Sequence, residues 1–289
     1  MRMSSMLVRY YTVKPPLIRE SRLTTRERGG VGKELSTGWV TNFAIGCTHA
    51  CPFCYVDSIH KRLIVRIHPE AGLEWGTYLL IPEPASFKKA LEATPWGKWR
   101  GEVVLMSSTH DPFLPQLLPY AQAILEAGLS HGVNFLIQTR SLNVLRLLPL
   151  LARYRRQVTL QVSIATLNEG LRRVIEPNVP PGEARLMVLK RAGGLGVRTG
   201  VIIAPILPPV RVRPDVEGDL HAIMSGLASA HVGRVFGELL HVRGWNIERL
   251  SRLLGEPVRV GRIIDEWVEG AFHRECKIFG LDCVYWREY

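Results

Sequence analysis

The sequence has no long hydrophobic run and only five cysteines. None of its apolar stretches reaches the roughly 18 to 20 residues that a membrane-spanning helix needs. The opening segment also lacks the apolar core and small-residue cleavage site of a secretory signal peptide. We therefore expect a cytoplasmic protein without membrane contact. Because thiols stay reduced in that compartment, five cysteines predict metal-binding, catalytic or buried thiols before they predict a disulfide framework.

Long Ser-, Gly- or Gln-rich stretches are missing as well, which argues against two domains joined by a flexible linker. The 289 residues are 46% hydrophobic and 22% charged. This composition is close to that of ordinary globular proteins, and it excludes disorder over the whole chain. We expect one domain of the size of an enzyme.

Acidic side chains are scarce in the first 33 residues. This segment holds eight Lys or Arg and two Glu, and eight minus two gives +6 of the formal net charge of +11. An exposed basic arm would attract a polyanion and contact its phosphates. Nucleic acid, either DNA or RNA, is the partner that this charge favours, and a solvated tail without a partner is the alternative.

Short runs rich in β-branched residues alternate with segments of helical spacing. The runs predict six strands, at residues 39–45, 102–107, 134–139, 158–165, 197–203 and 235–242. Helices are predicted at residues 86–92, 117–127, 142–153, 181–192 and 220–230. The alternation indicates an α/β fold with a parallel sheet and helices outside it. In barrel-like forms of that sheet, chemistry takes place in the loops that follow the strands.

The loop after the first predicted strand contains Cys47, Cys51 and Cys54 in the pattern C-x3-C-x2-C. Three thiolates within eight residues can wrap a soft metal centre. A tetrahedral zinc site would need a fourth ligand, which His49 or His60 can supply. A [4Fe-4S] cluster normally takes four cysteines, so three would leave one iron open to a small molecule.

This loop resembles the cluster-binding loop of the radical S-adenosylmethionine (SAM) superfamily, in its spore photoproduct lyase-like branch. That branch often reads N-x3-G-C-x-H-x-C-x-Y-C-Y, and the sequence has Asn42, Gly46, His49 and Tyr55, with Phe53 in place of the first Tyr. Four later strand ends match the branch too. They are residues 107–115 (SSTHDPFLP), residues 139–141 (TRS), residues 162–164 followed by Glu176 and Arg185, and residues 204–208 (APILP).

The resemblance implies a partial (β/α)6 TIM-like barrel at residues 39–242. Residues 1–38 would form a basic N-terminal extension, and residues 243–289 a helical and aromatic segment that closes the barrel. It also implies a radical SAM enzyme, in which Cys47, Cys51 and Cys54 hold a [4Fe-4S] cluster. Reductive cleavage of SAM there gives methionine and a 5'-deoxyadenosyl radical, which abstracts hydrogen from a substrate. A ferredoxin or flavodoxin would be the electron donor.

The same resemblance gives ten candidate residues for binding SAM: Phe53, Tyr55, Ser107, Ser108, Thr109, Arg140, Ser141, Ser163, Arg185 and Pro205. Hydroxyls at residues 107–109 would accept from the SAM ammonium group. Arg140 would pair with the SAM carboxylate, where the branch usually has Lys. Ser163 would bond the ribose or the carboxylate, and the aromatic and proline side chains would face the adenine. For Arg185 the alternative is a structural ion pair with Glu176.

Three functions remain open from the sequence. The first is a radical SAM enzyme acting on nucleic acid, in DNA repair or RNA modification. The second is a radical SAM enzyme acting on a peptide or a small metabolite, and the third is a nucleic-acid-binding protein with a zinc knuckle at residues 47–54. Spore photoproduct lyase uses a cysteine after its second strand as hydrogen donor, and this sequence has none between Cys54 and Cys276. Cys276 and Cys283 are our candidate hydrogen donors, unless they simply pack against the core.

Overall fold

The computed structural model describes residues 6–21 and 34–287. In chain order its strands are β1 (Leu7–Tyr11), β2 (Arg19–Glu20), β3 (Trp39–Thr41), β4 (Tyr78–Pro82), β5 (Val103–Met106), β6 (Asn134–Thr139), β7 (Val158–Ser163), β8 (Arg198–Ile206), β9 (Arg234–Leu239) and β10 (Cys283–Trp286). Its α-helices are α1 (Tyr55–Ile59), α2 (Pro84–Ala93), α3 (Leu118–Ser130), α4 (Leu148–Arg153), α5 (Glu169–Ile175), α6 (Gly182–Gly194), α7 (Val216–Ser229), α8 (Asn246–Leu254) and α9 (Arg262–Phe279).

An eight-stranded sheet with the order β10-β9-β8-β7-β6-β5-β3-β2 forms the centre of the fold. Every neighbouring pair from β3 to β10 is parallel, and only the short β2 runs antiparallel, against β3. The six predicted strands are β3 and β5 to β9, so the α/β parallel-sheet prediction is confirmed. Strands such as β7, whose side chains are almost all buried, are typical of a parallel sheet covered by helices.

The main core lies between this sheet and its outer helices. Ile137, Leu160 and Val201 on adjacent strands share one hydrophobic cluster with Leu189 of α6 and Leu227 of α7, and all five are essentially inaccessible to solvent. Parallel strands carry all their carboxyl ends at one edge of the sheet. The loops after β3, β5, β6 and β7 therefore meet at that edge, which we call the carboxyl edge, and the opposite one is the amino edge.

Residues 6–21 are built into the fold rather than extended from it. Strand β1 pairs in parallel with β4, which was not predicted, and β2 pairs with β3. Leu17 and Ile18 are buried, and Arg9 forms an ion pair with Glu70 at 2.8 Å. The other part of the predicted basic arm, with Arg2, Arg22, Arg26, Arg28 and Lys33, lies outside the described residues.

The C-terminal segment divides into two parts. Helix α8 packs near the carboxyl edge, where its Leu250 shares a hydrophobic cluster with Leu240 and Leu207. Helix α9 packs against α7 and β9, and β10 then extends the sheet beside β9. Among the described residues, the structure contains no helix of the length and apolarity needed to cross a membrane.

Two sequence expectations about the C-terminal cysteines are wrong. Cys276 and Cys283 form a disulfide rather than staying as reduced thiols. Cys283 is also the first residue of β10 and pairs with Val235 near the start of β9, so the bridge lies at the amino edge. Because bonded sulfurs carry no S–H, and because the carboxyl edge is the opposite end of the sheet, these cysteines cannot act as the hydrogen donors that we expected.

Candidate active site

A cavity of about 130 Å³ lies at the carboxyl edge. Ten of the residues selected from the sequence line it: Cys47, Cys51, Phe53, Cys54, Tyr55, Ser107, Ser108, Thr109, Arg140 and Ser163. They come from the loops after β3, β5 and β6 and from the last residue of β7. Three other selected residues, Ser141, Arg185 and Pro205, are not part of the lining.

The three cysteines lie on a tightly turned loop between β3 and α1. Gly46 begins it with a φ of +95°, and a Cβ at this position would come within 2.3 Å of the Tyr78 carbonyl oxygen of β4. Only glycine combines that φ with so close an approach. Two turns follow, closed by hydrogen bonds from Ala50 N–H to the Cys47 carbonyl oxygen at 3.4 Å and from Cys54 N–H to the Cys51 carbonyl oxygen at 3.1 Å.

All three cysteines are free, and their surroundings act on the sulfur in two opposite ways. Burial raises the pKa of the Cys47 thiol to about 12 and that of Cys54 to about 11. Backbone N–H groups oppose this effect by bonding to the sulfurs, from Asp111 and His49 at Cys47 and from Val56 and Asp57 at Cys54. Metal binding would deprotonate the thiols, and N–H bonds of this kind stabilise the resulting sulfur charge.

The described residues contain no group of three or more His, Cys, Asp or Glu side chains already gathered around one metal position. The three sulfurs face the same cavity, so a bound group would have to draw them closer. Neither histidine considered for zinc offers a ready fourth ligand. His49 faces two acceptors, the Asn178 carbonyl oxygen at 3.2 Å and Asp111 Oδ2 at 3.1 Å, whereas His60 is buried with Nδ1 3.0 Å from the Tyr78 hydroxyl.

Asp111 ties the cysteine loop to the loops after β5 and β6. Its carboxylate receives hydrogen bonds from the Thr139 hydroxyl at 2.9 Å and from Arg140 N–H at 2.6 Å, and it contacts His49 of the cysteine loop. Burial alone would raise the pKa of Asp111, but His49 and the N–H groups of Arg140 and Phe113 hold it below the usual value. The sequence motif contained this residue without indicating that role.

A second buried network stands behind the cavity. Glu176, which is inaccessible to solvent, accepts from Arg140 Nε at 3.0 Å and forms a short ion pair with Arg185. Arg185 also donates to the Ser163 carbonyl oxygen at 2.6 Å. The structure therefore contains the alternative that we considered for Arg185, a structural ion pair. It bonds to Ser163, which lines the cavity, and to Glu176, which holds Arg140.

Arg140 is the cation that reaches the cavity. Its guanidinium donates from Nη2 to the Ala204 carbonyl oxygen at 2.9 Å and lies 5.5 Å from the centroid of the Phe53 ring. With Nε and Nη2 bonded within the protein, Nη1 is the part of the group left for a ligand. The side chain is 23% exposed, compared with 0% for Glu176, so this charge is the accessible end of the buried network.

Several predicted hydroxyls already have partners in the protein. Ser107 donates to the His110 carbonyl oxygen at 2.6 Å, and Tyr55 donates to the Ser108 carbonyl oxygen at 2.5 Å. Ser141 donates to the Phe113 carbonyl oxygen at 2.9 Å and caps the short 3-10 helix that follows it. It therefore shapes the loop, and Pro205 likewise contributes through its neighbour Ala204, whose carbonyl oxygen holds Arg140.

Some residues of the lining were missed. Trp75 and Gln138 line the cavity without belonging to any of the matched motifs, and Gln138 donates to Gln161 at 2.6 Å. His110 lay inside a matched motif but received no role. Its Nε2 is buried without a hydrogen-bond partner among the described residues, and burial lowers its pKa to about 3. The parallel topology could have indicated Gln138, at the end of β6, but nothing in the sequence marks Trp75.

The family profile of the radical SAM superfamily matches residues 41–217, which is more than half of the chain. The chain belongs to the radical SAM superfamily. It is therefore an enzyme with the radical SAM fold, and its site lies in the matched region. Membership implies SAM and an iron-sulfur cluster as cofactors at the level of the family.

Relatives and solved structures agree with this assignment. The chain is 51% identical over 279 residues to an uncharacterized protein of Acidianus two-tailed virus, covering 96% of this chain and 92% of that one. It is 26% identical over 250 residues to an uncharacterized protein of Methanocaldococcus jannaschii, covering 86% and 90%. Spore photoproduct lyase complexed with dinucleoside spore photoproduct has a TM-score of 0.62 at 15% identity, covering 96% and 82%. At that identity the likeness shows the fold.

Proposed function

We propose that this radical SAM enzyme holds a [4Fe-4S] cluster through Cys47, Cys51 and Cys54, binds SAM beside it, and acts on nucleic acid. The observation that supports this most directly is that three free thiols and the polar ends of three neighbouring strands line one cavity. When bound, the cluster would supply the electron that cleaves SAM to methionine and a 5'-deoxyadenosyl radical for hydrogen abstraction.

The donor set fits an iron-sulfur cluster better than structural zinc. Three sulfurs are offered, and His49, the histidine nearest to them in sequence, directs both ring nitrogens at acceptors. A neutral imidazole carries a lone pair on one nitrogen, but both nitrogens of His49 point at oxygen atoms of the protein, so neither is directed at a metal held by the three sulfurs. A zinc ion would lack its fourth protein ligand, whereas an iron that is open to SAM is what three cysteines leave.

The chain's own groups would orient SAM. Arg140 would pair its Nη1 with the carboxylate, and the network through Glu176 would hold the guanidinium in place. The ring of Phe53 would offer an apolar face to the adenine. Ser163, the last residue of β7, lines the cavity and would bond the ribose or the carboxylate.

A nucleic-acid substrate is supported by charge and by one structural neighbour. The formal net charge is +11, which favours polyanions. The neighbour is spore photoproduct lyase, which binds a dinucleoside photoproduct in its solved complex. A peptide or small-metabolite substrate has no comparable observation in its favour. The hydrogen donor would differ from that of spore photoproduct lyase, because the three cysteines at this cavity are the proposed cluster ligands.

The test begins with anaerobic reconstitution using iron and sulfide. We expect about four iron atoms per chain and production of methionine and 5'-deoxyadenosine when SAM and a strong reductant are added. A protein that loads zinc and takes up no iron would contradict the proposal. Mass spectrometry of nucleosides, from cells with and without the protein, tests the substrate. A modified or repaired nucleoside that depends on the protein supports nucleic acid, and identical profiles under all growth conditions would favour the peptide or metabolite alternative.

A further inference from the structure

Two segments meet beside the cavity and present an exposed surface. One is residues 58–67, which follow the cysteine loop through α1, and the other is residues 241–253, which follow β9 and include α8. Asn246 Nδ2 lies 3.4 Å from the Phe53 carbonyl oxygen, and Arg249 forms a short ion pair with Asp57. The loop after the last barrel strand is thus fixed to the loop that holds the cysteines, at the rim of the cavity.

This surface is strongly basic. Residues 58–67 contain Lys61, Arg62 and Arg66 and no acidic residue, which gives +3. Residues 241–253 contain three Arg and one Glu, which gives +2, so the two segments together carry +5 of the net +11. Lys61 is 3.1 Å from Asp57, and Arg62 Nε donates to the Ser58 carbonyl oxygen. All three basic side chains of the first segment are exposed.

An exposed indole lies within this basic surface. Trp245 is 75% exposed, although it stands only one residue before the buried Asn246. Its neighbour Gly244 packs against the first segment, since a Cβ there would be 2.9 Å from the Cβ of Ser58. Gly244, the residue before Trp245, and Arg62 therefore both contact Ser58. Leu63 and Ile67, at 55% and 74% exposure, extend the apolar part of the surface.

We propose that this rim surface binds a single-stranded segment of nucleic acid, with a base stacked on Trp245 and phosphates at Lys61, Arg62 and Arg66. The inference rests on the proposed function and names how the substrate is held. Aromatic rings among cations are the combination that binds single strands, because each base offers a flat face and each nucleotide a negative charge. The contacts to Phe53 and Asp57 would place a neighbouring nucleotide at the cavity mouth.

The test measures binding of fluorescently labelled oligothymidylate and oligouridylate to the iron-loaded protein by anisotropy over a range of salt concentrations. Trp245→Ala should weaken binding about 5- to 150-fold, the range found for the loss of one stacked base. Its matched control is Trp267→Ala, which removes another exposed indole, on α9. The double variant Arg62→Gln and Arg66→Gln should reduce the slope of log affinity against log salt by about 1.4, since each phosphate contact to a single strand contributes about 0.7. Its control is Lys190→Gln with Arg198→Gln at the amino edge.

The outcomes separate the inference from the proposed function. Binding by the wild type that falls only in the rim variants supports both, and a preference for one oligonucleotide indicates DNA or RNA. Binding that falls equally in rim and control variants overturns the rim surface and leaves a nucleic-acid substrate in place. If neither oligonucleotide binds, the nucleic-acid substrate is overturned as well. If an acidic flavodoxin binds instead, and Trp245→Ala weakens it, the surface docks an electron donor and the inference is wrong. Iron content and circular dichroism check that each variant is folded.

Discussion

The two edges of the central sheet use the same residue type in opposite ways. At the carboxyl edge Cys47, Cys51 and Cys54 are free thiols that line a cavity, and at the amino edge Cys276 and Cys283 are bonded to each other. The three free cysteines lie in the loop that follows β3. The two bonded cysteines join the last part of α9 to the first residue of β10. In a parallel sheet, ligands bind among the loops that follow the strands, so a cysteine in such a loop can contact a ligand and a cysteine at the amino edge cannot.

The two edges also differ in how deeply their charged side chains are buried. At the carboxyl edge Glu176 and Arg185 are fully buried and Asp111 nearly so, each with several hydrogen-bond partners. At the amino edge Arg234, which is half exposed, pairs with Asp282 at 2.8 Å and Glu34 at 3.2 Å. Exposed pairs contribute little to stability, whereas breaking a buried pair leaves an uncompensated charge. The carboxyl edge therefore holds its charges in fixed positions.

The largest expected effect is the loss of iron uptake when a cysteine of the carboxyl edge is replaced. Replacing Cys47, Cys51 or Cys54 by Ala should abolish iron uptake on reconstitution, because two sulfurs cannot hold a cluster that already lacks its fourth cysteine. The matched controls are Cys276→Ala and Cys283→Ala, which should load as much iron as the wild type. Iron and sulfide analysis of the purified variants measures this. Equal iron loss in both groups would show that the two edges do not differ in function.

The next effect concerns the buried charge network. Glu176→Gln should lower the free energy of unfolding by about 3 to 5 kcal/mol, because it leaves Arg185 buried without its counter-charge. Urea unfolding measures the loss. Its counterpart at the amino edge, Asp282→Asn, should lower the same free energy by less than about 1 kcal/mol, since its partner is exposed. Similar losses for the two variants would contradict the contrast.

The stability of the wild type should also depend on pH more strongly than that of Glu176→Gln. Burial raises the pKa of Glu176, but the charges of Arg185 and Arg140 outweigh it, so the folded pKa lies below the ordinary value of 4.5. The stability that this shift contributes is present above pH 4.5 and is lost as the pH falls through the folded pKa. Between neutral pH and acid, the wild type should therefore lose more stability than Glu176→Gln does. Parallel losses would show that the carboxylate is not held ionised.

Much of the fold follows from local sequence patterns, and the exceptions have physical reasons. The runs that form β5 to β9 are apolar and bounded by turn residues, so their positions agree with the prediction within a few residues. Strands β1 and β4 were missed although they contain strand-favouring residues, because they form a separate two-stranded sheet outside the strand-helix alternation on which the prediction rested. Residues 243–289 were predicted as a helical and aromatic segment without bounds for its elements, and the strand β10 within it was missed.

Some residues of the candidate site could likewise be predicted from the sequence, and others could not. The cysteine loop and Arg140 could be found because their residue types and spacing carry the chemistry. Trp75 could not, because it reaches the cavity through the fold of a long loop. The disulfide was missed since the expected compartment argued against it, and since only the turn after α9 brings Cys276 next to Cys283. Ser141 follows β6 and Arg185 lies in α6, and both bond within the protein's own hydrogen-bond network rather than lining the cavity.

A smaller effect tests the amino edge itself. The disulfide closes a short loop, with a sequence separation of 7. The double variant Cys276→Ala and Cys283→Ala should lower the free energy of unfolding by about 2 to 3 kcal/mol, mainly because the unfolded chain becomes less constrained. Wild-type protein in a thiol reductant should unfold like this variant. If the reductant leaves the free energy of unfolding of the wild type unchanged, the disulfide is absent, and the cysteines of the two edges do not differ in bonding.

The smallest effect concerns one hydroxyl at each edge. Ser163→Ala should weaken SAM binding to the iron-loaded protein by about 2- to 12-fold, the loss of one hydrogen bond of about 0.5 to 1.5 kcal/mol. Ser229→Ala, which removes a hydroxyl from the cavity at the amino edge, is the matched control and should bind SAM as the wild type does. Isothermal titration calorimetry measures both. Equal affinities for all three proteins would remove Ser163 from the SAM site.

The central claim is that the three cysteines of the carboxyl edge hold a cluster with one iron open to SAM. Electron paramagnetic resonance of the reduced, iron-loaded protein, recorded before and after adding SAM, tests it most directly. The account predicts a [4Fe-4S] signal that changes shape and position when SAM binds, and no such signal in Cys51→Ala. A signal that SAM leaves unchanged, or a protein that carries zinc and gives no signal, would contradict it.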